Sequence, residues 1–445
     1  VQVDAWRFQH QFEAAITLLQ HLAKRQPKAV LHPRRLGSAL RQLGQHTAAI
    51  AAYQQALALD PSDMDTYSNL LLTLQYTPDR QAEEVFRWHR EFGERYERPC
   101  PMLTPHGNAA EPNRRLRIGW VSGDFKSHPV AYLILPVWTE RDHSQFEYFA
   151  YDTNLNPDNV TQQLYPLADH WRRVRGATPA ELARLIQQDA IDILIDLSGH
   201  TDGNRLLAFA RKPAPVQVTW AGYADTSGLS RIDWRITDAQ GDPPGVEWRY
   251  TEKLWRMPDV FCCYRPMVRM PELRWHPDYA VHPTPALREG HITFGCCNNY
   301  AKITDGIIAL WSQLLHRVAD SCLLLELAGI QHGQARAQLL SRFALHGIGP
   351  DRLQLEERDS RLQYLRYHQI DIALDPSPAN GGNSTCDVLW MGTPLVTLPG
   401  ERFVSRLGVS LLTAVGHPEW LARDSTDYLD IAARLAADIP ALNAI

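Results

Sequence analysis

The sequence predicts an all-α helical repeat region followed by an α/β region of two doubly wound domains. Three observations carry this expectation. Residues near the N-terminus recur at a constant spacing. A stretch rich in Pro, Asn and Gly then interrupts the pattern, and beyond it strand-like apolar runs alternate with helix-like segments in two successive blocks. The expected boundaries are 1–95 for the repeats, 96–114 for a linker, 115–286 for the first α/β domain and 287–445 for the second. A chain of 445 residues exceeds one typical core, as this division requires.

The repeat is read by aligning "AAITLLQHLAKRQP" with "AAIAAYQQALALDP": Ala14 and Ala48, Leu36 and Leu70, and Pro27 and Pro61 each lie 34 residues apart. A period of 34 is the signature of tetratricopeptide (TPR) helix pairs. Small residues let paired helices approach closely, and the closing proline ends the second helix. One full unit and two partial ones are visible. Such an array is expected to dock on the next domain, to continue upstream, or both, and to bind peptide or protein along its concave face.

In the first α/β block, "LRIGWVS", "FEYFAYD", "IDILIDLSG" and "APVQVTWAGY" read as strands, with helices at "PVAYLILPVW" and "PAELARLIQQD". In the second, "HITFGCCN", "CLLLEL", "RLQLEE", "DIALD" and "PLVTL" read as strands. Helices are expected at "DGIIALWSQLLHRV", "ARAQLLSRFALHG", "RLQYLRYHQ" and after "NGGNST". Ligands bind such sheets beyond the carboxyl ends of their strands, so a cleft between the two domains is the expected site.

Composition excludes several classes. The net charge of −5 gives no overall nucleic-acid or membrane footprint, so any anionic ligand must be met by a local site. No apolar run reaches the roughly 18 residues of a membrane span. The opening segment "VQVDAWRFQH" does not read as a signal peptide. It does not begin with Met, and residues preceding it are expected. Seven cysteines without CxxC spacing fit reduced thiols in a cytoplasmic protein.

The loop between "DIALD" and its helix carries the strongest local signal. Gly381 and Gly382 admit a ligand to the backbone, while Asn383, Ser384 and Thr385 offer caps and side-chain hydrogen bonds to a helix expected to start near Ser384 or Thr385. Free N–H groups at such a start form a phosphate cradle, although an ordinary capped helix has the same letters. Lys302 in "CCNNYAKIT" follows the first strand of the second domain and offers a cation. His128 in "SGDFKSHPVAY" holds the matching place in the first domain, ahead of Pro129. Gly222 and Tyr223 lie in another loop after a strand, "WAGYADTSG", and His170 and His200 are further candidates for the cleft. The chain has no HExxH, GxSxG or Walker motif and no close metal-ligand trio. A lysine, helix N-termini and histidines suit the stabilisation of a departing diphosphate without a metal.

Six ordered motifs then resemble one family: "LRIGWVSGDFKSHPV", "RKPAPVQVTWAGYADTSG", "IDWRITDAQGDPPG", "ITFGCCNNYAKIT", "CDVLWMGTPLVTLPGE" and "SRLGVSLL". Together with the TPR-like period they resemble the O-GlcNAc transferase/SPINDLY family of protein O-glycosyltransferases, with the third and fourth closest to the SPINDLY branch and bacterial relatives. The resemblance implies a GT-B catalytic region, two Rossmann-like halves facing a cleft. It also implies sugar transfer from a nucleotide-sugar donor to Ser or Thr hydroxyls. O-GlcNAc transferases use UDP-GlcNAc and SPINDLY uses GDP-fucose; UDP-GlcNAc is the preferred expectation. By motif, Lys302 matches the lysine that neutralises the donor β-phosphate, and Asn299 a polar donor contact. His128 matches a histidine near sugar and acceptor. Gly382, Asn383, Ser384 and Thr385 fall in the phosphate loop, and Asp387 matches an acidic residue tied to that helix start. His170 matches a histidine once proposed as a base.

Three departures bear on the donor. Ala224 stands where the animal O-GlcNAc transferases have a proline after the tyrosine matching Tyr223. Gln363, with Tyr364 beside it, occupies the position of a His or Tyr set against the nucleobase. Glu326 stands where SPINDLY-like strands end in lysine. The implied partners are protein or peptide acceptors on the TPR face and in the cleft, plus the nucleotide sugar, with no cofactor, metal, nucleic acid or membrane. An oligomer is compatible with the reading. The rival expectation is a catalytically silent TPR scaffold that binds nucleotide.

Overall fold

The computed structural model describes residues 11–78, 80–111, 113–266, 276–331, 333–359 and 362–445. The opening segment "VQVDAWRFQH" and the first residue of "RLQYLRYHQ" lie outside these. The chain forms two compact units: residues 1–61, 73–78 and 266–445 in one, and 62–72 and 79–265 in the other. No helix among the described residues is long and apolar enough to cross a membrane.

The first unit joins the early repeats to the second α/β domain. Helices Phe12–Arg25 and His46–Leu59 begin 34 residues apart, and Leu31–Gln42 lies between them. The Leu-Gly of the repeat allows close helix packing. A Cβ on Gly37 would sit 2.7 Å from the Tyr53 ring, whose hydroxyl donates to Ser38 Oγ at 3.1 Å. Pro61 follows the end of His46–Leu59, as expected for a residue that cannot continue a helix.

The sheet of this unit has five parallel strands in the order β10-β9-β8-β11-β12. They are β8 (Thr293–Cys296), β9 (Cys322–Leu327), β10 (Leu353–Glu357), β11 (Ile372–Leu374) and β12 (Leu395–Val396). β8 and β9 are buried along their whole length, which explains their near-continuous apolar sequence. Helix Asp305–Arg317 buries Trp311 against them. Phe12, Ala39 and Leu43 of the repeat helices belong to the same core cluster as Phe294, Ile303, Trp311 and Leu325. "RLQYLRYHQ" is not the expected α-helix: the structure has a 3-10 turn, Leu365–Gln369. It buries Arg366 and Tyr367 just before β11, and the steeper rise of a 3-10 turn carries the chain to that strand in few residues.

The second unit holds seven parallel strands in the order β3-β2-β1-β4-β5-β6-β7. They are β1 (Leu116–Ser122), β2 (Phe146–Asp152), β3 (His170–Arg173), β4 (Ile193–Asp196), β5 (Val216–Thr219), β6 (Trp234–Asp238) and β7 (Lys253–Met257). β3, β6 and β7 are additional to the expected strands. Helix Ala82–Phe92 and the π-turn after it meet the loop after β5 backbone to backbone. A Cβ on Gly93 would lie 2.0 Å from the Gly228 carbonyl oxygen, and one on Gly228 would lie 2.1 Å from that of His89. Glu97 completes this junction by accepting from Ser230 N, Ser230 Oγ and Arg231 N at 2.7–2.9 Å.

Candidate functional site

Both sheets start at a central strand, grow outward to one edge and return on the other side. The switch point therefore falls between β1 and β4 in one sheet and between β8 and β11 in the other. Ligands of doubly wound sheets bind at such points, outside the carboxyl ends of the strands.

In the first unit the chain after β8 turns through Tyr300–Lys302, a single 3-10 turn, and the chain after β11 forms the Gly-Gly-Asn-Ser-Thr loop. Lys302 Nζ donates to the Asn380 carbonyl at 2.6 Å and to Asn298 Oδ1 at 3.2 Å. Asn298 Oδ1 also accepts from Ser384 Oγ at 2.9 Å, so one amide oxygen links the lysine to the loop helix. Asp375, at the end of β11 and 1% exposed, accepts from Gly381 N at 2.7 Å and Thr397 Oγ1 at 3.0 Å. Burial pulls the Lys302 pKa below the usual lysine value, and the nearby Asp375 carboxylate counters that pull. Burial raises Asp375 to about 7, opposed by the Gly381 N–H and by Lys302. A further anion beside Lys302 would favour its charged form.

The loop helix runs Asn383–Trp390, with Gly382 at its N-cap and no side-chain cap. The expected start at Ser384 or Thr385 is therefore one or two residues late. Its polar side chains do not cap: Ser384 reaches Asn298, and Thr385 Oγ1 donates to the Gly381 carbonyl at 3.0 Å. Leaving the first turn without a side-chain cap suits a cradle for an external anion. Asp387 sits a turn inside the helix rather than at its start, buried, with Gln363 Nε2 donating to its Oδ2 at 3.2 Å. Asn299 caps the turn that carries Lys302, accepting from Ala301 N at 3.0 Å.

In the second unit, His128 is the N-cap of helix Pro129–Thr139, and its Nδ1 accepts from Val130 N at 3.3 Å. Burial lowers its pKa, with Asp124 opposing. A neutral imidazole that accepts at Nδ1 carries its proton on Nε2, so His128 offers a donor there.

Several candidates are engaged within the protein. Tyr223 is buried, with its hydroxyl 2.8 Å from His89 Nε2, because the ring packs under helix Ala82–Phe92. Gly222 is required by packing, since a Cβ there would lie 1.9 Å from the Leu197 carbonyl oxygen. His200 is 1% exposed, between Ser68 Oγ at 3.0 Å and the Ser227 carbonyl at 2.9 Å, and burial holds it neutral. His170 opens edge strand β3, stacks on Phe149 and pairs with Glu147 at 2.8 Å. Tyr364 is buried in an apolar cluster against Tyr279. Glu326 is buried within β9, 3.9 Å from Arg366, and burial raises its pKa. Asn298, Asn380 and Asp375 were not singled out from the sequence. The available signal was their position: each lies at, or just beyond, the carboxyl end of a strand beside the switch point. Among the described residues no group of three His, Cys, Asp or Glu side chains is placed to hold a metal.

The chain belongs to glycosyltransferase family 41: the profile of Glycosyl transferase family 41 matches residues 101–273 and 282–445. A TPR repeat profile matches residues 37–73. A protein of Oryza sativa subsp. japonica named a probable UDP-N-acetylglucosamine–peptide N-acetylglucosaminyltransferase SPINDLY is 36% identical over 401 residues, covering 88% of this chain and 42% of that protein. A Caenorhabditis elegans UDP-N-acetylglucosamine–peptide N-acetylglucosaminyltransferase is 26% identical over 450 residues, covering 76% and 39%. The chain thus spans about two fifths of the length of these relatives. A solved structure of a mutant Thermobaculum terrenum O-GlcNAc transferase matches with a TM-score of 0.91 at 33% identity, covering 97% of this chain and 81% of that one. The fold is TPR helices followed by a GT-B pair of Rossmann-like domains.

Proposed function

We propose that the chain is a protein O-glycosyltransferase that moves GlcNAc from UDP-GlcNAc to Ser or Thr hydroxyls, with inversion and without a metal. The observation that carries this reading is the junction of Lys302, Asn298 and Ser384 at the β8–β11 switch point, beside an N-terminal helix turn without a side-chain cap. The acceptor oxygen attacks the anomeric carbon and the bond from that carbon to the β-phosphate oxygen breaks. The electron pair stays on the phosphate, where Lys302 and the N–H groups of the 381–385 loop receive the growing charge. The acceptor proton passes to the departing diphosphate. His128, whose Nδ1 accepts from Val130 N, keeps Nε2 free of any contact within the helix cap and is assigned to the sugar and acceptor side of the reaction.

Residues 1–95 are assigned to acceptor binding, 115–286 to the half carrying His128 and 287–445 to the donor half, with Gly382, Asn383 and Asp387 on the nucleotide. All seven cysteines are free thiols, which supports a cytoplasmic setting. A second reading is fucosyl transfer from GDP-fucose, which rests on the resemblance of the third and fourth motifs to the SPINDLY branch and on Gln363 at the expected base position. Thermal-shift titration with UDP, GDP, UDP-GlcNAc and GDP-fucose separates the two, because a ligand that binds only the folded state raises Tm. Stabilisation by UDP and UDP-GlcNAc is expected. A response confined to the guanine ligands overturns the donor assignment, and no response to any of the four overturns the nucleotide-sugar site.

A further inference from the structure

The turn that carries Lys302 is held from behind by the repeat region. His46, the first residue of helix His46–Leu59, is 5% exposed and lies 255 residues away in sequence, yet its Nε2 is 2.7 Å from the Ala301 carbonyl oxygen. A carbonyl only accepts, so Nε2 carries the proton and Nδ1 does not. That Nδ1 is buried without a hydrogen-bond partner, and the ring stacks on Tyr76 at 5.7 Å. Burial holds the imidazole neutral, with a pKa lowered to about 4, which the Ala301 carbonyl opposes and Arg41 and Arg342 reinforce. The chain just before the helix also abuts the turn. Gly44 has φ +70°, and a Cβ on it would lie 3.5 Å from the Ile303 carbonyl oxygen and 3.8 Å from that of Tyr300. Arg342 Nη2 donates to the Ile303 carbonyl at 2.9 Å. Tyr300 and Ile303 are buried in one cluster with Ala39 and Leu43 of the preceding repeat helix.

We propose that His46 is a positioning residue for Lys302, through which the repeat helix sets the place of the donor-binding ammonium. The proposal rests on the reading of Lys302 as the diphosphate ligand. His46 donates to the middle residue of a three-residue turn whose last residue is Lys302. Loss of that bond loosens the turn, and with it the backbone from which the lysine stem rises. Because the imidazole is neutral, the contact is constant over the ordinary assay range and is no pH switch.

A double-mutant cycle in the full chain tests this, read as affinity for whichever of UDP and GDP stabilises the wild type. Lys302→Met is expected to weaken binding more than tenfold. His46→Ala is expected to weaken it about fivefold to tenfold, the scale of one lost hydrogen bond. His46→Gln, whose amide nitrogen reaches the place of Nε2, should stay within about twofold of wild type. If His46 acts through the lysine, His46→Ala in the Lys302→Met background adds no further loss. Equal losses in both backgrounds, or wild-type affinity in His46→Ala while Lys302→Met is weakened, overturn the proposal. Full affinity in Lys302→Met overturns the underlying reading, and this inference with it. If His46→Ala is unfolded at the assay temperature, His46→Asn, too short to reach Ala301, takes its place, and affinity equal to that of His46→Gln overturns the proposal.

Discussion

Replacing Lys302 with methionine removes the ammonium and keeps most of the volume of the stem. Two hydrogen bonds are lost, to the Asn380 carbonyl at 2.6 Å and to Asn298 Oδ1 at 3.2 Å. The loss in catalysis follows from the charge. Two unit charges about 4 Å apart attract by about 4 kcal/mol at an effective dielectric of about 20. If most of that attraction develops as the diphosphate departs, it corresponds to about a thousandfold in rate. Removal of a single oxyanion donor costs about 10²–10³ in kcat, a range that includes this value. The fold should be nearly indifferent, because the mutation also ends the cost of burying an ammonium that desolvation already pulls toward neutrality. The assay compares transfer of labelled sugar to lysate proteins at saturating donor with the unfolding midpoint of the same preparation. The expected result is a fall of about 10²–10³ in turnover with Tm within a few degrees of wild type. Turnover within about threefold of wild type, with the fold intact, would refute the electrostatic role of Lys302.

Two further outcomes follow from buried groups. Asp375 has its folded-state pKa raised to about 7 from an ordinary 3.8, so the folded chain binds more protons than the unfolded one between those values. Stability contributed by this group is present below about pH 4 and is lost as pH rises to about 7. Asp375→Asn, whose amide can keep both the Gly381 and Thr397 hydrogen bonds, should therefore gain relative to wild type over that window, by at most about 4 kcal/mol; parallel Tm curves from pH 4 to 8 would contradict it. Tyr223→Phe strips the buried His89 of its 2.8 Å partner. It should cost about 1–3 kcal/mol of stability with nucleotide affinity unchanged, as measured by thermal unfolding and UDP titration. Weakened nucleotide binding at an unchanged Tm would return Tyr223 to the ligand.

The parts of the fold that could be read from sequence were those buried on both faces. β1, β2 and β9 appear at the expected residues because their apolar runs are bracketed by polar turns. β3, β6 and β7 were not foreseen. β3 reads His-Trp-Arg-Arg, and β7 alternates exposed Lys253 and Trp255 with half-buried neighbours, as an edge strand does. The place of Lys302 and of the Gly-Gly-Asn-Ser-Thr loop was legible for a similar reason, since they follow β8 and β11, two apolar strands buried along their length. The burial of Tyr223, Tyr364 and His200 is not legible, because a loop sequence does not say which way its side chains turn. The aromatic and histidine partners that draw them inward come from distant segments, as His89 does for Tyr223. The role of Asn298 depends on a contact between two loops 86 residues apart, which no local pattern encodes, whereas Asp375 is held by Gly381 N only six residues on.

Phe12, Ala39 and Leu43 are built into the apolar interior of the second α/β domain. These first helices are therefore foundation rather than attachment. Exchanging them for another protein's repeats would leave a gap in the interior, at a cost of several kcal/mol for the large side chains alone. These helices and the domain beneath them are therefore constrained together, and descendants would inherit them as one heritable piece.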